Sequence, residues 1–288
     1  MTWKRFASGL HEPMSIVSRK DKLFVYDRSG IWKLVDTNGD KEADRYEMFC
    51  NLFAQTAEIG VNPKAGLVTA SDQQGNYVPS TPIQIIGNNQ FYGHLPTIAP
   101  EEVYPATIAE PMVWLPHPVN PSGATQTWLI GAKMGPLNDE LIHVGYNRPE
   151  LFRVLMNDRF TRPQATVMSF ERDFDFGSLN AQVNPADGQL YVVGFQVWGT
   201  TAKKLSGLVR LRYTDQPRVL LKEMTPMDKG LLLRFNAKLA SDPASAERWS
   251  YQRSAKCGSP HLNLPGQAHH RRRGQALPDD RLHGLPQH

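Results

Sequence analysis

With 288 residues, a net charge of +4 and no apolar run approaching the roughly 20 residues that a bilayer span needs, the chain reads as globular, without a membrane helix. Its two cysteines, Cys50 and Cys257, match neither a zinc spacing nor a C-x-x-C-H haem attachment and are expected to be packing or incidental thiols. Much of the positive charge sits in His269-His270-Arg271-Arg272-Arg273, with no interleaved aromatics and no binding module beside it, so no nucleic-acid partner is expected.

The chain opens on Met1-Thr2-Trp3-Lys4-Arg5-Phe6, without the apolar stretch of a secretory signal. Two readings stay open, a cytoplasmic chain or one whose true start lies upstream. Next come Leu23-Phe24-Val25-Tyr26 and Ile31-Trp32-Lys33-Leu34-Val35, short β-branched and aromatic runs around Asp27-Arg28-Ser29-Gly30, which predict a hairpin.

The stretch Asp36-Thr37-Asn38-Gly39-Asp40-Lys41-Glu42-Ala43-Asp44-Arg45-Tyr46-Glu47 follows directly. A twelve-residue calcium loop takes oxygens from positions 1, 3, 5, 9 and 12 and a backbone carbonyl from position 7. Those positions are Asp36, Asn38, Asp40, Asp44 and Glu47, with the carbonyl of Glu42. A Ca2+ ion would relieve repulsion among the carboxylates. Position 6 normally wants glycine for a positive φ, and this chain has Lys41 there. The competing reading is an Asx-rich turn whose side chains cap their own backbone without metal. The strand-like flanks argue against a helix-loop-helix hand, so the loop is expected to join strands.

Further strands are expected at Pro82–Ile86, Met112–Leu115, Thr127–Ile130, Leu141–Val144, Leu151–Leu155 and Gly207–Tyr213. Val61-Asn62-Pro63-Lys64-Ala65-Gly66-Leu67-Val68 is echoed by Val183-Asn184-Pro185-Ala186-Asp187-Gly188-Gln189-Leu190, each a Pro-Gly turn feeding a strand. The copies lie 122 residues apart, a distance that fits three repeats of the roughly 40 to 50 residues typical of propeller blades. The fold expected is all-β, a β-propeller with about four to five blades' worth of sequence, and a β-sandwich is the alternative. The propeller domain is expected over residues 1–262, with a basic, disordered tail over 263–288.

The first strands and acidic loop, with Ala70-Ser71-Asp72-Gln73-Gln74-Gly75-Asn76-Tyr77, Asn89-Gln90-Phe91-Tyr92-Gly93, Gly194-Phe195-Gln196-Val197-Trp198-Gly199 and Trp249-Ser250-Tyr251-Gln252-Arg253, resemble large bacterial dehydrogenase-like propellers. These are similar to the glucose/sorbosone dehydrogenase superfamily. The resemblance covers most of residues 6 to 261. It implies oxidation of a sugar or aldose with pyrroloquinoline quinone, an electron acceptor as partner and an extracytoplasmic setting, for which this chain carries no signal. A monomer is expected. Against that pattern a blade is expected to be missing between residues 58 and 59, the C-terminus to be truncated, and no cytochrome module to be present.

Such chemistry needs a base for the hydroxyl proton and cations for the quinone's carboxylates. His11, His94 and His143 are the candidate bases, although none lies in a His-Asn-Gly-Gly motif, and ordinary hydrogen-bonded imidazoles remain the competing reading. Arg148 and Arg153 are the candidate cofactor ligands, against surface exposure. Trp114 and Trp198 are candidates for stacking on a sugar ring, against burial in a blade. A non-enzymatic propeller that binds a glycan or protein, and an inactive truncated product, are the alternatives to an enzyme.

Overall fold

The computed structural model describes residues 3–13, 15–19, 22–27, 30–51, 56–72, 80–87, 90–92, 109–157, 159, 161–172, 174–227, 230–239, 251–253 and 262–264. The chain divides into two compact units, Met1–Gln216 and Pro217–His288.

The first unit is built from sheets of consecutive antiparallel strands. The first sheet runs β1 (Ser15–Arg19), β2 (Lys22–Asp27), β3 (Gly30–Val35), β4 (Arg45–Asn51), and the second β5 (Thr56–Asn62), β6 (Leu67–Asp72), β7 (Thr81–Ile85), β8 (Val113–Leu115). The third runs β9 (Gly123–Trp128), β10 (Leu141–Gly145), β11 (Glu150–Asn157), β12 (Gln164–Arg172). In the fourth, β13 (Ser178–Val183), β14 (Leu190–Phe195) and β15 (Ser206–Leu211) pair in that order. The first strand of each sheet lies against the first strand of the next: β1 on β5, β5 on β9, β9 on β13. A sandwich would interleave its connections between two facing layers. Successive meanders whose first strands line up side by side are instead the blades of a β-propeller.

Strands β9 and β13 run parallel. Thr125 Oγ1 donates to the Leu179 carbonyl at 2.7 Å, and two residues on Thr127 Oγ1 donates to the Ala181 carbonyl. The turns agree, since Lys64 between β5 and β6 ion-pairs at 2.7 Å with Asp139 between β9 and β10. Each blade therefore has an upper end, where its first strand begins, and a lower end, where that strand turns back.

Apolar contact between blades follows the period-2 pattern. Phe24, Tyr26 and Ile31 of the first sheet pack on Ile59, Val68, Ala70, Ile86 and Tyr92. Ile83 and Met112 meet Leu141 and Val154 between the second and third sheets. On the other face of the first sheet, Val25, Leu34 and Ala43 are covered by Phe6, Ala7 and Leu10 of the N-terminal segment. That segment is strapped down at both ends: Ala43 N donates to the Phe6 carbonyl at 2.7 Å and His11 N to Asp27 Oδ2 at 2.9 Å.

In the second unit, β16 (Leu221–Met227) pairs with β17 (Gly230–Phe235) and β18 (Tyr251–Arg253) with β19 (Leu262–Leu264), both antiparallel. Residues 58 and 59, where a missing blade is expected, are consecutive within β5. Residues 265–288 of the expected tail and Cys257 lie outside the described residues.

Where β14 crosses the start of the fourth blade, the backbones come too close for a side chain. A Cβ at Gly194 would lie 2.8 Å from Leu179 N and closer still to the Gly177 carbonyl oxygen, and neither backbone atom can rotate away. Gly194→Ala is expected to destabilise the first unit by about 3 kcal/mol, seen as a lower urea midpoint with the m-value unchanged.

Candidate active site and acidic loop

The acidic run forms the β3–β4 connection, so it joins strands. Asp36 accepts from Gly39 N at 2.7 Å and Lys41 N at 2.9 Å, Asn38 from Asp40 N at 2.9 Å, and Asp40 from Glu42 N at 2.8 Å. Asp44 Oδ2 accepts from the Thr37 hydroxyl at 2.7 Å. Burial works to raise the Asp36 pKa, and the N–H groups of Lys41, Gly39, Asn38 and Asp40 outweigh it and hold the carboxyl below its ordinary value. Lys41 has φ of 69°, so the chain makes the sharp turn at position 6 without glycine there.

Glu47 is not in the turn. It sits on β4 opposite Lys33, which it pairs with at 2.5 Å, and it meets Arg45 at 2.7 Å. The Lys33 hydrogen bond, the largest of the influences on Glu47, lowers its pKa. Among the described residues no three His, Cys, Asp or Glu side chains converge as a ready metal cluster. As a test of fit, the donor set is nevertheless oxygen-rich, and an ionised carboxylate that accepts one N–H per oxygen keeps further lone pairs for a cation.

A connection between third and fourth strands lies at the lower end of its blade. The upper end carries different chemistry. There the Tyr146 hydroxyl accepts from Val197 N at 2.7 Å and Trp198 N at 3.0 Å. Its ring lies 4.4 Å, centroid to centroid, from the Trp198 indole, which is 43% exposed. Asn147 Nδ2 donates to the Gly199 carbonyl at 3.0 Å and Thr200 Oγ1 to the Tyr146 carbonyl at 3.1 Å. The 196–201 segment is thereby fastened to the β10–β11 turn, and it holds an indole out to solvent in a fixed pose. Arg148, in the same turn, is exposed and anchors one nitrogen, Nη1, on the Pro118 and Val119 carbonyls. Its remaining N–H groups suit an anion at this rim.

The other candidates fall elsewhere. Arg153 is 3% exposed and makes a two-pronged pair with Glu140, Nε to Oε2 at 2.7 Å and Nη2 to Oε1 at 2.8 Å, which leaves its fork facing a carboxylate of the chain itself. His11 is exposed beside Asp27 at the upper end of the first blade. His94 and the Gln73–Tyr77 run lie outside the described residues. Trp114 sits on β8 at 37% exposed.

His143 is fully buried on β10, its ring 6.3 Å from that of Phe152. A Cβ at Gly123 would lie 2.9 Å from its Nε2 and 2.9 Å from Thr81 Cγ2, so the imidazole and Thr81 meet over that glycine, between the second and third sheets. Neither ring nitrogen has a hydrogen-bond partner among the described residues, nor do Thr81 Oγ1, Ser122 Oγ and both polar atoms of Gln126. Nothing in the sequence marked this buried polar layer, because Thr, Ser and Gln at strand positions read as solvent-facing. Burial pushes the His143 pKa down to about 4, so at neutral pH it is an uncharged imidazole.

No family model and no curated protein matches the chain. Among solved structures it is similar to a glucose dehydrogenase at TM-score 0.52 and 12% identity, over 72% of this chain and 65% of that one. A crystal structure of glucose dehydrogenase gives TM-score 0.50 at 12% identity, over 69% and 64%. The PQQ-bound form of aldose sugar dehydrogenase from Streptomyces coelicolor gives 0.47 at 11%, over 68% and 60%. The chain thus spans less than two thirds of the length of the solved structures it matches. At these identities the likeness is one of fold alone.

The buried imidazole carries a pH signature. Its folded pKa of about 4 lies below the ordinary 6.5, so between those values the unfolded chain binds the proton that the folded chain refuses. Stability is unaffected by this group above about pH 6.5 and falls as pH drops from there towards 4, by up to about 3 kcal/mol. His143→Gln is expected to flatten that acid-side slope in urea titrations at pH 4.5 and 7, whatever its effect at pH 7 alone.

Proposed function

We propose that the chain is a dehydrogenase-like propeller that oxidises a sugar or aldose with a quinone cofactor at the upper end of its blades. The observation that supports this is the match to a glucose dehydrogenase fold at TM-score 0.52, together with a rigid aromatic and an accessible guanidinium at one end of adjacent blades. The quinone, when bound, takes up the electrons removed from the substrate carbon.

The chain's own residues bind and orient. Arg148 would hold a cofactor carboxylate through the N–H groups its backbone anchors leave over, and those anchors keep the guanidinium plane fixed. Trp198, braced by Tyr146, would offer its face to the apolar side of a sugar ring. Of the histidines, His11 is exposed where solvent and substrate can reach it, whereas buried His143 is suited to shaping the wall behind the site.

Calcium has a separate role in this reading. Asp36, Asn38, Asp40, Asp44 and the Glu42 carbonyl would hold the ion at the lower end of the first blade, with Glu47 remaining on Lys33 and Arg45. At that place the ion ties a hairpin together and takes no part in the chemistry.

Two measurements test the proposal. Titration of pyrroloquinoline quinone into the full chain is expected to quench tryptophan fluorescence saturably, and Arg148→Ala to weaken binding about tenfold, the worth of a charge-assisted hydrogen bond. Aldose-dependent reduction of an electron acceptor should accompany saturation, and a saturated chain that reduces no acceptor with any aldose would overturn the enzyme reading. Calorimetric titration of Ca2+ into metal-stripped protein should show binding that raises the melting temperature. That binding should disappear in Asp40→Ala and survive in Glu47→Gln, and absence of heat in the unaltered chain would leave the loop as a self-capped turn.

A further inference from the structure

The first three sheets each have four strands, whereas the fourth has three, and no described residue pairs with the outer edge of β15. Beside that edge runs a groove of about 430 Å³. Phe174 and Phe176, 9% and 2% exposed with rings 5.9 Å apart, line it together with Gly207, Val209 and Leu211 of β15. Along β15 side chains alternate between exposed and half-buried, so Gly207, Val209 and Leu211 form a continuous floor strip. The upper end of the groove is closed by a staple. Lys204 N donates to the Asp175 carbonyl at 2.6 Å and Lys204 Nζ pairs with the Asp175 carboxylate at 2.6 Å.

We infer that this groove accepts an extended peptide segment as the fourth strand of the blade, antiparallel to β15. The complete blades state what fits there. In each, the fourth strand runs antiparallel to the third, and in β12 Ala165 and Val167, on one face, pack against the neighbouring sheet's core. An occupant of the β15 edge needs the same alternation, with apolar residues over Phe174, Phe176, Val209 and Leu211. Its main chain pairs with the N–H and C=O groups that an edge strand otherwise leaves to water. The groove also selects charge. Glu171 is exposed on its wall near the upper end, and an antiparallel occupant brings its C-terminal residues there, so the segment should carry a Lys or Arg at that end. Six residues of extended chain, about 20 Å, match the length of β15.

The test uses the full chain and a labelled peptide of the sequence Gln164–Arg172, the native outer strand of the preceding blade, with fluorescence anisotropy as the readout. Saturable binding is expected, together with slowed hydrogen exchange at alternate amides of β15. Glu171→Lys should weaken the complex about three- to fivefold, and a peptide carrying Arg172→Glu should recover the lost affinity with that variant, a charge-swap rescue that a change in folding would not give. Absence of binding to the unaltered chain would overturn the inference. So would β15 amides already protected in the peptide-free chain, since the edge would then be paired from within, and so would binding indifferent to both charge reversals.

Discussion

The hydroxyl groups of β9 that reach across to the backbone of β13 set the frame on which the rest depends. Thr125 and Thr127 lie two residues apart on one face of their strand and donate to Leu179 and Ala181, also two residues apart. Two donors in step fix both the parallel sense and the register of neighbouring blades, which apolar contact alone, being non-directional, would leave free to slide. Ser178 Oγ adds a third tie at the upper end, donating to the Gly145 carbonyl at 2.7 Å. Because each blade is antiparallel within itself, this single choice of sense decides which loops share an end. It places the Tyr146 turn and the Trp198 segment together, and it sends the β3–β4 loop of the first blade to the opposite end.

This frame explains the part of the fold that was legible in the sequence. Middle strands such as β2, β10 and β11 are apolar on both faces because a blade is covered by neighbours on either side, and runs such as Leu141-Ile142-His143-Val144 and Leu151-Phe152-Arg153-Val154 announce themselves. The echo of Val61-Asn62-Pro63 in Val183-Asn184-Pro185 marks equivalent turns, each leading out of the first strand of its blade, but in the second and fourth sheets, so the 122 residues span two blades and not the expected three. The first strands themselves were hard to see. Gly-Ala-Thr-Gln-Thr-Trp of β9 and Ser-Leu-Asn-Ala-Gln-Val of β13 look like loop, since hydroxyls such as those of Thr125, Thr127 and Ser178 serve neighbouring main chain instead of water, and the expected Thr127–Ile130 strand ends earlier, at Trp128.

At the candidate site the division is similar. Spacing alone identified the acidic run, and its strand-like flanks foresaw that the run would join strands. Spacing had no means of showing that Glu47 would be drawn off by Lys33, because that pairing comes from the β3–β4 register. Nor did it separate Arg148 from Arg153. The two are five residues apart, yet one ends in a turn with spare donors and the other is buried against Glu140.

The buried imidazole is the point at which structure and chemistry pull against each other. A histidine enclosed on all sides, with both nitrogens lacking a partner in the described chain, costs stability unless something it displaces costs more. Gly123 shows what is displaced. Its missing side chain lets the ring come close to the start of β9, where any Cβ would press on both the imidazole and Thr81. The pair His143 and Gly123 therefore acts as one packing unit that sets the spacing of the second and third blades at their upper end, behind the rim that carries Arg148 and Trp198. An uncharged ring suits that position, because a cation there would have no counter-charge supplied by Thr81, Ser122 or Gln126. The burial that encloses His143 also keeps its ring uncharged, and an uncharged ring can stay in the wall between the two blades without a counter-ion.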